Sequence, residues 1–63
     1  MKQPKLGDRI KVSTHHWCRA HDVGVIVAEL PRGRFEVLFD REGVGYDGGK
    51  RLAIDEKDFE VIE

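Results

Sequence analysis

Short runs of alternating apolar and polar residues constrain this chain more than any other feature. In "DRIKVS", Ile10 and Val12 share one parity, and in "RFEVLFD", Phe35, Val37 and Phe39 do the same. Such alternation is typical of β-strands that bury one face in an antiparallel sheet. No stretch of ten residues has apolar side chains at helical spacing. The pattern therefore predicts an all-β fold.

The alternating runs predict five strands, and the residues between them predict the connections. Pro31 and Gly33 favour a tight turn, whereas segment 41–50 contains four glycines and indicates a longer loop. Asp55 is placed to cap one short 3-10 turn before the last strand. The predicted strands are 8–13, 22–30, 34–40, 49–54 and 59–62.

One strand departs from simple alternation. In "DVGVIVAEL", Val25 and Val27 share a parity, whereas Ile26 and Leu30 have the other. A strand that is apolar on both faces can bend and serve both halves of a small barrel. Glycine tolerates such a bend or bulge because it has no Cβ. Gly24 is therefore a residue at which this strand could accommodate a bend or bulge.

The length of the chain limits both its architecture and its chemistry. Its 63 residues form one small domain, 1–63, in which 1–6 is expected to be a flexible N-terminal segment. A domain of this size buries only about 60% of its unfolded surface, and a pocket of roughly 300 Å³ would hollow out its core. A five-stranded sheet this small hides its edges best by closing into a barrel. The order of loops predicts an SH3-like barrel, and the small core predicts that the chain is not an enzyme.

Composition indicates where such a chain works. No apolar run is long enough to span a bilayer, so no membrane span is expected. The single cysteine, Cys18, cannot form an internal disulfide, which favours the cytoplasm. The net charge is −1, with +4 on residues 1–34 and −5 on residues 35–63. This difference either makes a basic face or is cancelled where the strands interleave.

The sequence resembles known small barrels. The opening "GDRIKV", followed by "GVIV", is similar to the start of KOW and Tudor-like barrels. A closer resemblance covers most of the chain: Trp17 before a "VGVIV" strand, then "VLFD", "YDGG" and "LAIDEKDFEVIE". This order resembles the SH3-like barrel of the photosystem I reaction-centre subunit IV family.

In that family a strand ends in Phe-Asp, a Tyr-Ser-Gly lies in the next loop, and a short helical turn leads into an acidic, Val-rich last strand. Phe39-Asp40, Tyr46-Asp47-Gly48 and the segment 53–61 take those places here. Segment 17–24 is longer than in the family, and "HHWC" is not part of its pattern. The resemblance implies a non-catalytic docking subunit that helps to assemble or electrostatically guide a redox partner.

The stretch "STHHWCRAH" contains all three histidines, the only cysteine and the only tryptophan. Cys18 and His21 have a spacing found in zinc sites, and His15 or His16 could add a third ligand. No second Cys/His cluster completes a tetrahedral site, so no metal or other cofactor is predicted. A thiolate–imidazole pair would also need an oriented base and a substrate cleft. No catalytic residue is therefore predicted.

The same stretch offers a recognition loop. In an SH3-like barrel the first loop, 14–21, and the turn 31–33 flank one groove, and an aromatic ringed by cations suits acidic partners or phosphate. Trp17 either belongs to this site or packs over the end of the core. The candidate binding residues are Trp17, His15, His16, Arg19, His21, Arg32 and Arg34, with Tyr46 as a second candidate expected at the opposite end of the barrel.

These features predict a non-enzymatic protein–protein docking or accessory module. Its partner is expected to be another protein with an acidic surface. The alternative is a nucleic-acid-binding, RNA- or ribosome-associated barrel of the KOW or Tudor type. The net negative charge and the lack of a strand face that combines aromatic and basic residues disfavour that alternative.

Overall fold

Five strands and one 3-10 turn make up the regular structure of this chain. The computed structural model describes residues 3–62, so residues 1–2 of the predicted flexible segment lie outside the described residues. Each strand begins and ends within two residues of the prediction. The strands are β1 (Arg9–Val12), β2 (Val23–Leu30), β3 (Arg34–Phe39), β4 (Arg51–Asp55) and β5 (Phe59–Val61), and the 3-10 turn is Glu56–Asp58.

All strand pairs are antiparallel and form one sheet in the order β4-β3-β2-β1-β5. This confirms the all-β prediction. Among residues 3–62 no backbone pairing joins β4 to β5, so the closed barrel stays a prediction. Over the same residues, no helix is long and apolar enough to cross a membrane.

The sheet is strongly curved. The rings of Phe35 on β3 and Phe59 on β5 meet edge to face, with centroids 5.8 Å apart. In a flat sheet three strand spacings would separate those strands by about 14 Å. The curvature therefore brings the two halves of the sheet over a common core.

The core contains the apolar positions that the alternation selects. Phe35, Leu52 and Val61 are partly buried and pack against it. Leu38 has the opposite parity to Phe35 and is 36% exposed, as alternation predicts. The buried apolar side chains are Ile10, Val12, Ile26, Val37, Phe39, Ile54 and Phe59.

The irregularity in β2 lies further along the strand than expected. The register with β3 shifts between Ile26 and Ala28, whereas Gly24 pairs in register with Phe39. Gly24 instead lets β3 approach closely. A Cβ at this position would lie 2.6 Å from Val37 Cγ1 and 2.7 Å from the Leu38 carbonyl oxygen.

The 3-10 turn contacts two of the connections between strands. The Asp55 carboxylate accepts a hydrogen bond from the backbone N–H two residues later, which confirms Asp55 as its cap. The Glu56 N–H donates to the Gly33 carbonyl at 2.9 Å, and the Ser13 N–H donates to the Asp58 carbonyl at 2.7 Å. The turn thus contacts both the β2–β3 connection and the base of the β1–β2 loop.

Candidate functional site

The side chain of Arg19 joins the β1–β2 loop (13–22, the Trp17 loop) to the β3–β4 loop (40–50, the Gly-rich loop). Its Nε donates to the Val44 carbonyl at 3.0 Å. Its Nη1 donates to Asp22 Oδ2 at 2.8 Å and to the Arg41 carbonyl at 3.0 Å. Nη2 donates to the carbonyl of Gly49.

Arg19 is also part of the core. Only 2% of the residue is exposed, and its Cζ lies 4.1 Å from the centroid of the Phe39 ring, which is a cation–π contact. A buried guanidinium that already has a carboxylate and three carbonyl acceptors is not available to a partner. The interpretation of Arg19 as a partner-contacting cation is therefore wrong. Its charge is used to hold two loops together.

His16 shapes the backbone of the Trp17 loop. Its Nδ1 accepts hydrogen bonds from the N–H groups of Cys18, at 3.3 Å, and of Arg19, at 3.0 Å. Nδ1 therefore carries no proton in this arrangement, and the ring proton belongs to Nε2. The imidazole also stacks on the indole of Trp17, with ring centroids 6.0 Å apart. His16 fixes the loop from which Trp17 projects.

Trp17 is exposed. The residue is 82% accessible, so of the two alternatives for this tryptophan the packing role over the core is wrong. A tryptophan can bury 150–250 Å² of mostly apolar surface, and here nearly all of that surface faces solvent. Because so little of the Trp17 side chain is buried, it contributes little hydrophobic free energy to folding.

Of the reactive residue types of the Trp17 loop, Cys18 and His16 come together, with the Cys18 Sγ 3.8 Å from His16 Nδ1. His15 and His21 are exposed, and Cys18 is partly buried. Burial raises the pKa of the Cys18 thiol, and the nearby charge of Arg19 opposes that rise only in part. A raised pKa keeps the thiol protonated, which is the opposite of an activated nucleophile. Within residues 3–62 no group of three or more His, Cys, Asp or Glu is placed to hold a metal ion.

Arg32 and Arg34 lie away from the two loops that the Arg19 side chain joins. Both are exposed: Arg32 lies in the turn at the far end of the β2–β3 hairpin, and Arg34 is the first residue of β3. Over residues 3–62 no hydrogen bond or ion pair connects this turn directly to Trp17. The predicted ring of cations around the tryptophan is therefore not assembled from these two arginines.

Tyr46 belongs to the loop that Arg19 fastens, so its predicted location at the opposite end from the Trp17 loop is wrong. The Tyr46 N–H donates to the Arg51 carbonyl at 2.9 Å and holds the Gly-rich loop against β4. The residue is 48% exposed. Burial of the hydroxyl raises the pKa of Tyr46, and the Glu36 carboxylate beside it adds to the rise. Its hydroxyl end therefore lies towards the outer face of β3 and β4.

The arginines near the Gly-rich loop are matched by carboxylates. Only Arg9–Asp40 and Arg41–Asp22 join the two halves of the chain, but each arginine of this group faces a carboxylate, which opposes a basic face around this loop. The ion pairs are Arg9–Asp40 (3.2 Å), Arg19–Asp22 (2.8 Å), Arg41–Asp22 (3.4 Å), Arg51–Glu36 (3.3 Å) and Arg51–Asp47 (3.1 Å).

Val44 is an exposed apolar residue that the sequence pattern does not single out. It is 50% accessible and lies between two glycines, and its carbonyl accepts from Arg19. A valine flanked by glycines in a polar loop is the only available signal. Among residues 3–62, three of the six large exposed apolar residues therefore lie on the two loops that Arg19 joins. The six are Leu6, Trp17, Leu38, Val44, Tyr46 and Ile62.

Comparison with known proteins does not indicate a function, so a function has to be inferred from this geometry. No protein-family model, no curated protein and no solved structure matches the chain. The resemblance to the photosystem I subunit IV family therefore stays a prediction.

Proposed function

We propose that this chain is a non-enzymatic protein–protein docking module in which Trp17 is the principal contact. The observation that carries the proposal is the 82% exposure of Trp17 on a loop whose backbone is held by buried Arg19. Tryptophan is among the residues that dominate binding energy at protein interfaces. Because the loop is already ordered, docking would lose little conformational entropy there.

We also propose that the curved sheet is an SH3-like barrel. Three observations support this: the antiparallel strand order, the Phe35–Phe59 contact across the curved sheet, and the 3-10 turn before β5. The family resemblance agrees with this architecture and with a non-catalytic docking role. It does not identify the partner.

The proposed partner contact is apolar, and an acidic surface is no longer required. The expectation of an acidic partner depended on a ring of cations around Trp17. Arg19 is buried, and Arg32 and Arg34 lie at the turn end of the β2–β3 hairpin. The nucleic-acid alternative is also weakened, because the arginines near the Trp17 loop are already paired with carboxylates and are not free to bind phosphate. Binding to RNA is kept as an outcome of the test.

Quantitative affinity enrichment from cells of the source organism tests this function. The bait proteins are the wild type, W17A and L6A; Leu6 is 58% exposed and lies outside the two loops, which makes L6A the matched control. We expect a protein that is retained by the wild type and by L6A and is depleted at least tenfold on W17A. Equal recovery on all three baits would refute docking through Trp17. Enrichment that disappears after ribonuclease treatment would favour the nucleic-acid alternative instead.

A further inference from the structure

The His16 side chain holds the Trp17 loop through an acceptor that a proton would remove. Its Nδ1 accepts from the N–H groups of Cys18 at 3.3 Å and of Arg19 at 3.0 Å, and the Cys18 Sγ lies 3.8 Å from the same nitrogen. A protonated imidazole carries a hydrogen on both ring nitrogens. Turning the charged ring therefore cannot restore an acceptor, and these hydrogen bonds exist only while His16 is neutral.

The two backbone donors depend on this acceptor. Over residues 3–62 neither the Cys18 N–H nor the Arg19 N–H donates to another protein atom. Arg19 is only 2% exposed, so water has little access to its N–H in the folded loop. A buried donor without an acceptor is costly. Protonation of His16 therefore favours a loop that has opened to solvent.

The charged groups around the loop do not compensate for a charge on His16. Over residues 3–62 His16 forms no ion pair with a carboxylate. The only carboxylate of the loop, Asp22, is held by Arg19 at 2.8 Å and by Arg41 of the Gly-rich loop at 3.4 Å. The charged side chains that line a surface cavity beside Ser13 and Thr14, at the base of the loop, are Lys11, Lys57 and Glu60.

The other titratable groups of the loop are a thiol and two histidines. Cys18 is the one in contact with the His16 ring, and burial raises the pKa of its thiol, which therefore stays neutral in the range where histidine titrates. His15 and His21 are exposed. Neither ring accepts a hydrogen bond from the backbone of residues 3–62. Among these histidines, His16 is the one whose protonation breaks contacts of the fold.

We infer that His16 makes the Trp17 loop a pH-dependent switch, which is ordered while the imidazole is neutral and released when the imidazole gains a proton. A free imidazole titrates near pH ~6.5, so below that pH the opened loop binds one more proton than the ordered loop. One extra proton shifts the equilibrium towards the opened loop about tenfold for each pH unit. The ordered loop is therefore favoured above about pH 6.5 and is weakened as the pH falls. This inference concerns the order of the loop and does not depend on what Trp17 binds.

Backbone amide hydrogen exchange, followed by NMR at pH 7.5 and at pH 5.5 in the full-length chain, tests the switch. After correction for the intrinsic exchange rate at each pH, we expect the Cys18 and Arg19 amides to be about five- to tenfold less protected at pH 5.5. The Ile26 N–H, which donates to the Asp8 carbonyl within the sheet, is the internal reference for global unfolding. Its protection should change less than twofold.

Two substitutions of His16 separate the acceptor from the titration. In H16N the side-chain oxygen is bonded to Cγ, as Nδ1 is, so it supplies an acceptor at the same place and does not titrate. Protection of the two amides should then differ less than twofold between the two pH values. In H16Q the amide lies one bond further out, and we expect weak protection at both pH values. H15N is the matched control and should keep the pH dependence of the wild type.

Three results would overturn the switch. The first is equal protection of the Cys18 and Arg19 amides at the two pH values in the wild type. The second is a loss in H16N as large as in the wild type, which would assign the effect to another group. The third is an equal loss at Ile26, which would mean that acid unfolds the whole domain. Because the assay contains no partner, a failure of the proposed docking function would leave its result unchanged.

Discussion

Replacing Arg19 by methionine is the most direct test of how this small domain is held together. R19M keeps an aliphatic side chain over Phe39 and removes every donor. The carbonyls of Val44, Arg41 and Gly49 then lose the guanidinium donors, and the Asp22 carboxylate keeps only its 3.4 Å contact with Arg41. Removing one member of a buried ion pair typically costs about 3–5 kcal/mol. Because the Asp22 side chain is 15% exposed and can recover some hydration, we expect about 3 kcal/mol.

That loss is large for a chain of this size. At roughly 0.05–0.15 kcal/mol per residue, the whole domain has a free energy of unfolding of about 3–9 kcal/mol. R19M should therefore be marginally folded, with the Gly-rich loop released first. R19K should lie between R19M and the wild type, because one ammonium keeps the charge but cannot reach acceptors arranged around a planar guanidinium.

Urea unfolding followed by far-ultraviolet circular dichroism measures these free energies. Tryptophan fluorescence is a poor probe here because Trp17 is already exposed in the folded protein. The matched control is R41M, since the Arg41 side chain is 83% exposed and its contact with Asp22 is long. Removing such an exposed pair should change the free energy of unfolding by less than about 0.5 kcal/mol.

Two results would contradict this account of Arg19. One is an R19M protein within about 0.5 kcal/mol of the wild type, the size of an ordinary surface substitution. The other is simple additivity with D22N. Residues in direct contact should be coupled, so R19M/D22N should be more stable than the sum of the single changes predicts, because the double variant has no unpaired buried charge.

Three further predictions concern single sites. G24A should lower the free energy of unfolding by at least about 2 kcal/mol, because the new methyl group would lie 2.6 Å from Val37 Cγ1; urea unfolding measures it, and a neutral G24A would contradict the close strand approach. R32G should raise stability by a few tenths to about 1 kcal/mol, because Arg32 has φ of 65° at an exposed turn, and a lower unfolding midpoint would refute this. Cys18 should react with a thiol reagent at pH 8 more slowly than free cysteine, because burial raises its pKa. Faster reaction than free cysteine would contradict the raised pKa.

Alternation was sufficient to predict the strands because burial of one sheet face imposes it directly. The parities of Ile10 and Val37 predict which side chains are buried, and both are. Asp55 was also predictable, because a cap depends only on its near neighbours in sequence. The register shift in β2 could not be predicted, because valine, isoleucine and alanine fit either face of the sheet and no nearby residue marks the extra residue of the bulge.

The location of Tyr46 could have been derived from topology. In an antiparallel meander every second connection lies at the same end of the sheet, so the β1–β2 and β3–β4 loops meet. The turn containing Arg32 then lies at the other end of its hairpin, as observed. The prediction failed because the groove of a generic barrel was used in place of the strand order.

The role of Arg19 leaves no signal in the sequence. Three of its acceptors are backbone carbonyls that lie 22, 25 and 30 residues further along the chain. Every residue has a carbonyl, so no residue type marks these partners. A charged residue in a polar loop is more often exposed than buried, and the sequence-based assignment followed that tendency.

Within the stretch "STHHWCRAH", the role of a residue depends on whether its side chain points into the domain or out to solvent. Arg19 points inward and supplies the polar contacts that fasten two loops, whereas Trp17 points outward from the backbone those contacts hold. His16 lies between them and stabilises both, through its Nδ1 acceptor and its stacked ring. If the proposed docking function holds, one buried guanidinium serves stability directly and recognition through the loop that it fixes. Substitutions of Arg19 should consequently weaken docking even though Arg19 does not contact the partner.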